Sequence, residues 1–150
     1  MFKFKRNPLE ASVGNPVIGA NSVAFKVGDP VYIDSSGFLA LQTTSSKVIG
    51  YITEDITMAS DNQTVAKVCP QYVYAEGVEM YVDADAALAQ ADVGHYTVLS
   101  SATGNAQTVD ADTSATVGQY LILGWDTDTP DTAVAVVVAS FLQKECYASS

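Results

Sequence analysis

His95 is the only histidine of the 150-residue chain, so any imidazole acid–base chemistry would have to use it. Serines and aspartates are plentiful enough to complete a Ser-His-Asp set. No Gly-x-Ser-x-Gly elbow is present to hold a nucleophile on a strained turn, and His95 stands between Gly94 and Tyr96 where a strand should begin. It reads as a turn or surface histidine. Asp126, Asp128 and Asp131 open like a calcium loop. An EF-hand needs Gly at its sixth position and Glu at its twelfth, and counted from Asp126 those positions hold Asp131 and Val137. A solvated hairpin tip built from turn-forming Asp and Pro is the better account, with a looser calcium site as its alternative. Asp83/Asp85 and Asp110/Asp112 read as caps and turns. Cys69 and Cys146 are the only cysteines and do not form a C-x-x-C pair, which excludes a metal knuckle. Two buried free thiols are expected, or one long-range disulfide. No Gly-rich phosphate cradle occurs. Eight tyrosines and Trp125 could furnish a sugar-binding platform but read as core or interface residues. The expectation is a protein with no catalytic residue, no metal and no cofactor, and not an enzyme.

The elements that would position such side chains are short strands. Strands are expected at 22–27, 31–34, 38–41, 48–54, 64–69, 96–100, 107–109, 119–125 and 133–142, separated by Gly, Pro, Asp and Ser turns. In 78–82 the alternation sends Val78, Met80 and Val82 inward and Glu79 and Tyr81 outward. The segment 133–142 is apolar on both faces, which belongs at the centre of a layered structure. The Ala-rich stretch 83–91 reads as one short helix or helical turn. The expected fold is mainly β: a small β-barrel or β-sandwich with at most one short helix.

Composition bounds the partners. A net charge of −10 and a pI near 4.1 repel nucleic-acid phosphates and anionic lipid heads, so neither nucleic acid nor membrane is an expected partner. The strongest apolar run, 133–142, is far short of the ~20 residues that cross a bilayer. No apolar signal segment follows Arg6, so the expected site of synthesis is a cytoplasm, in soluble form. Lys3, Lys5 and Arg6 are three of only seven basic residues, all within the first ten positions. Pro8, Gly14, Pro16 and Gly19 punctuate the same region, while Phe2, Phe4, Leu9, Val13, Val17 and Ile18 supply apolar anchors. Residues 1–21 are therefore expected to form an extended N-terminal arm ahead of a single β-domain, 22–150. Such an arm either packs on its own domain or reaches to a neighbouring subunit. The second reading makes Phe2, Lys3, Phe4, Lys5, Arg6, Leu9, Val13, Val17 and Ile18 the docking residues.

The chain also carries an internal echo. Val27-Gly28-Asp29-Pro30-Val31-Tyr32-Ile33 leads to Ile49-Gly50-Tyr51-Ile52, and Val93-Gly94-His95-Tyr96-Thr97-Val98-Leu99 leads to Leu123-Gly124-Trp125. The differing intervals favour shared turn chemistry over duplication. The first of these phrases, Gly28-Asp29-Pro30-Val31-Tyr32 followed by Ile49-Gly50-Tyr51, resembles the capsid decoration, or head cement, proteins of tailed bacteriophages. The layout of a small β-body behind an N-terminal arm is similar as well. The resemblance implies a structural subunit on the outer face of a virion, without catalytic residues, bound to the major capsid protein and assembled as a homotrimer. The alternative is a surface-displayed carbohydrate- or receptor-binding β-module.

Overall fold

The computed structural model describes residues 1–5, 12–101, 106–126 and 128–143. Among the described residues the protein is mainly β: 37% strand against 8% helical, with no helix of seven residues or more. Phe2–Phe4 forms β1. A first group follows: β2 (Ala24–Phe25), β3 (Pro30–Ile33), β4 (Leu39–Leu41), β5 (Gly50–Ile52), β6 (Ile56–Thr57) and β7 (Tyr72–Tyr74). A second comprises β8 (Met80–Asp83), β9 (Tyr96–Thr97), β10 (Leu99–Ser101), β11 (Thr108–Val109), β12 (Tyr120–Trp125) and β13 (Thr132–Val137). Antiparallel pairing gives a four-stranded sheet, β4-β3-β5-β7, a five-stranded sheet, β1-β8-β13-β12-β9, and the pairs β2-β6 and β10-β11.

The first phrases of the internal echo, at Gly28 and Gly94, are structurally equivalent, but Gly50 corresponds to Tyr120 and not to Gly124, and the pairing shows a duplicated unit where shared turn chemistry was expected. Gly28 and Gly94 both take positive φ, 94° and 84°, a region open to glycine but strained for other residues. The amide of Gly28 donates to Ile52 O and that of Gly94 to Ile122 O, each at 2.8 Å. Ile52 N returns to Asp29 O at 3.0 Å, and Ile122 N to His95 O at 2.9 Å. Val31 pairs with Gly50 as Thr97 pairs with Tyr120, and Ile33 with Leu39 as Leu99 with Val109. Tyr51 pairs with Val73 as Leu121 pairs with Val136. Even the crossing segments agree. Gly19 bridges Leu39 in parallel and Ala84 bridges Val109 in parallel, with Ala20 N→Leu39 O at 2.8 Å and Asp85 N→Val109 O at 2.9 Å. The same unit is built twice.

Each unit has its own apolar interior. In the first, Phe25, Val31, Leu39, Ile49, Ile52, Met58 and Tyr72 are buried together. A larger cluster fills the second unit and the seam between the two. It joins Met80, Val82, Leu99, Val109, Ile122 and Ala135 to Tyr51 and Val73 of the first unit. The two units therefore share one core rather than standing as separate domains.

Several expectations need correction. Among the described residues no closed barrel forms, because the crossing segments meet the hairpin strands β4 and β11 through single isolated bridges, not continuous ladders. Short helical turns occur among the described residues at Asn62–Ala66, Gln90–Asp92 and Ala139–Phe141, and none reaches seven residues. Most of 83–91 cannot wind, because Ala84 N is taken by Asp131 O (2.6 Å), Asp85 N by Val109 O (2.9 Å) and Leu88 N by Pro130 O (2.9 Å). The strand expected at 64–69 is absent. The buried Asn62 amide donates to Gly19 O (2.7 Å) and Val68 O (3.0 Å) and accepts from Val68 N (2.9 Å), winding this stretch into a turn that ends at left-handed Lys67. Elsewhere the pattern holds. Met80 and Val82 are fully buried and Tyr81 is half-exposed, and β13 lies centrally between β8 and β12.

Candidate docking surface

β1 is a three-residue strand whose alternation decides the fate of the expected arm. Phe2 and Phe4 face inward and Lys3 outward, with Phe2 opposite Val82, Lys3 opposite Tyr81 and Phe4 opposite Met80. Phe2 is fully buried, its ring 5.2 Å from that of Tyr120 and 5.9 Å from that of Tyr51, while Phe4 meets Tyr51 edge-on at 6.1 Å. Phe2 O also lies against Gly28, 2.2 Å from where a Cβ would stand. At the terminus, the Met1 amine donates to Gln107 O (2.6 Å) and faces Asp83 at 3.7 Å, while Lys5 meets Glu79 at 3.2 Å. Phe2 is thus a core residue of its own chain and not a docking anchor, because it could reach another subunit only by vacating the aromatic cluster.

Residues 12–20 are likewise engaged. Gly14 N donates to Tyr72 O (2.8 Å) and Tyr74 N to Ser12 O (2.9 Å) at one edge of the four-stranded sheet. Leu39 N donates to Ile18 O (2.9 Å) at the opposite edge. The strap occupies strand edges that would otherwise invite pairing with another chain. Val17 packs on the first unit's core, Ile18 is half-buried, and Val13 is 77% exposed. The boundary expected at residue 22 has no structural counterpart, since the strap completes the first unit. Arg6 and Leu9 lie outside the described residues. Of the expected docking set, Lys3, Lys5 and Val13 are exposed.

The candidate chemical groups resolve into structural roles. Thr113 Oγ1 donates to Asp92 Oδ1 at 2.7 Å, so the His95 Nδ1 that meets the same oxygen at 3.1 Å acts as its donor. A hydroxyl whose proton is committed to a carboxylate is not poised for activation by the imidazole; the trio pins two loops together. The Thr113 hydroxyl and then the Ala89 amide hold the Asp92 carboxyl below its ordinary range. Asp126 Oδ1 accepts from Asp128 N at 3.0 Å, an Asx turn at the β12–β13 hairpin. Among the described residues no acidic, His or Cys trio could hold a metal ion, and no helix is long and apolar enough to cross a membrane. Cys69 is half-buried rather than buried, and Cys146 lies outside the described residues.

Three of the seven described tyrosines belong to the core. Tyr51, Tyr72 and Tyr120 are buried, and burial holds the Tyr51 and Tyr120 phenols protonated far above their usual range. Tyr120 donates to Gln42 Oε1, a tie that crosses from the second unit to the first. Asp29, fully buried, accepts from Lys26 N (2.9 Å) and Gln107 Nε2 (3.2 Å). The Gly28-Asp29 phrase is therefore a determinant of the turn and the seam, which sequence alone did not reveal.

The surface that sequence reasoning missed is the outer face of the five-stranded sheet. Lys3, Tyr81 and Val134 lie in one cross-strand row; Val136, Leu121 and Tyr96 lie in another. Leu123, bulged between Ile122 and Gly124, is 43% exposed. Two adjoining grooves run along this face, of about 460 and 320 Å³, sharing Tyr81 and Asp126. Their other lining includes Trp125 and Leu123 in the first and Met1 and Lys3 in the second. No protein-family model, curated protein or solved structure matches the chain.

Proposed function

We propose that the chain is a structural, non-catalytic virion protein that binds the outer surface of a tailed-phage capsid and bridges its major capsid subunits. One observation carries the reading: on a protein of net charge −10, β1 is an edge strand that presents Lys3 outward while Phe2 and Phe4 lock it into the core. A rigid basic edge adds little ordering cost on binding, and its charge steers it toward an acidic shell. Steering acts over only ~8–10 Å at physiological salt. Many copies, as the homotrimers that the resemblance implies, would supply avidity where single contacts are weak. The test is co-sedimentation with undecorated phage heads. Lys3→Glu with Lys5→Glu should slow binding and flatten its salt dependence while leaving the melting temperature within about 2 °C. Binding by this variant at the unchanged rate and salt dependence contradicts the proposal.

A second reading, a carbohydrate- or receptor-binding module, is favoured by the groove that sets Tyr81 and Trp125 beside Lys5, Glu79 and Asp126. Glycan-array binding abolished by Tyr81→Ala would support it over the first.

A further inference from the structure

The repeated unit shows which surface lacks its cover. In the first unit, the paired Tyr51 and Val73 face away from that unit's own interior and are buried against the second unit and β1, at 0% and 4% exposure. Their counterparts in the second unit are the paired Leu121 and Val136. These stand half-exposed on the outer face of the five-stranded sheet, beside Leu123, Tyr81 and Tyr96. The fold thus already buries this face once, against a β-layer of its own kind.

Charge identifies the occupant. The residues bordering the face are Met1, Lys3 and Lys5 on one side of the balance and Glu79, Asp83 and Asp126 on the other, three positive groups against three negative. The whole chain carries −10. Two copies therefore repel least when they approach through this face, and a neutral apolar patch can be complementary to itself, as a two-fold contact requires.

We propose that the outer face of the five-stranded sheet is the contact surface between two copies of this chain, packed face to face about a two-fold axis. Strands of three, four, six, six and two residues, at about 3.3 Å per residue and about 4.8 Å spacing, give roughly 330 Å² per copy, well below the ~800 Å² that each partner of a stable complex contributes. The association is accordingly weak, with a Kd of about 0.1–1 mM.

Sedimentation equilibrium of the full chain from about 10 µM to about 1 mM tests this. A dimer should grow with concentration, and should strengthen as salt rises from ~0.1 to ~1 M, because screening relieves the repulsion between the two acidic bodies. Leu123→Asp should weaken it at least tenfold and Leu123→Ser measurably, with circular dichroism confirming that each variant is folded. Val65→Asp, at an exposed valine on the helical turn Asn62–Ala66, should leave it unchanged. A chain that stays monomeric at 1 mM in high salt overturns the proposal. So does any oligomer that Leu123→Asp leaves intact, or that Val65→Asp weakens equally. Lys3 and Lys5 border this face, so the pair forms between free copies and parts before β1 engages a shell; shell binding is not part of the readout, and failure here and failure to decorate heads are separate results.

Discussion

Replacing Phe2 by Ala separates a structural N-terminus from a docking arm. The ring is fully buried between Tyr51 and Tyr120 in the seam that joins the two units. Truncating a buried Phe to Ala costs about 3–5 kcal/mol through lost transfer energy and the cavity left behind. For a chain of this length each kcal/mol lowers Tm by roughly 2–4 °C, so a fall of about 6–20 °C is expected. Against a total stability of about 5–15 kcal/mol the loss is large. Phe2→Leu keeps most of the volume and should cost under about 1.5 kcal/mol, and Lys3→Ala, on the solvent side of the same strand, within about 0.5 kcal/mol. Thermal unfolding followed by far-UV and near-UV circular dichroism reads all three. If Phe2→Ala melts within about 2 °C of the parent, β1 is not part of the core and the reasoning fails.

Further outcomes follow from single geometries. Gly28→Ala combines a left-handed φ with a Cβ 2.2 Å from Phe2 O and should cost more than about 2 kcal/mol, whereas Gly37→Ala, at φ 88° in open space, should cost only about 1 kcal/mol by urea titration. Asn62→Ala removes the amide that serves Gly19 O, Val68 O and Val68 N, and should cost about 2–4 kcal/mol with proteolytic opening near residue 64. Because the Asp92 carboxyl is held low, by Thr113 first, its stabilisation is complete above the ordinary Asp pKa of ~3.9 and fades as pH falls through the lowered value. Unfolding measured from pH 6 to pH 2 should therefore lose this acid-side component in Thr113→Val.

Some of this architecture was legible in the sequence, and the reason some was not is physical. The two-faced apolarity of 133–142 marked a central strand, and the alternation of 78–82 fixed which of its side chains turn inward. Phe2 and Phe4 signalled burial correctly while Val13 is exposed, and a hydrophobic pattern says nothing about which surface does the burying, so Phe2 read equally as anchor or core. β2 and β6 are two residues each, too short for any period to show. At 64–69 the β-branched residues suggested a strand, and one buried asparagine side chain overrode them. Gly28 and Gly94 marked equivalent turns, but matching Gly50 to Gly124 instead of Tyr120 made the intervals differ and hid the duplication. Gly19 and Ala84 share a bridge position without sharing a sequence phrase, because there the backbone carries the contact. The sheet face was missed because Leu121, Leu123, Val134 and Val136 converge only through pairing between strands.

The most direct test of the proposed role is cryo-electron microscopy of undecorated tailed-phage heads incubated with the purified chain. The account predicts density on the outer surface at fixed positions between capsid subunits, with β1 at the contact, and loss of that density with Lys3→Glu and Lys5→Glu. Heads that remain bare at saturating protein, or density confined to the tail or the interior, would contradict it.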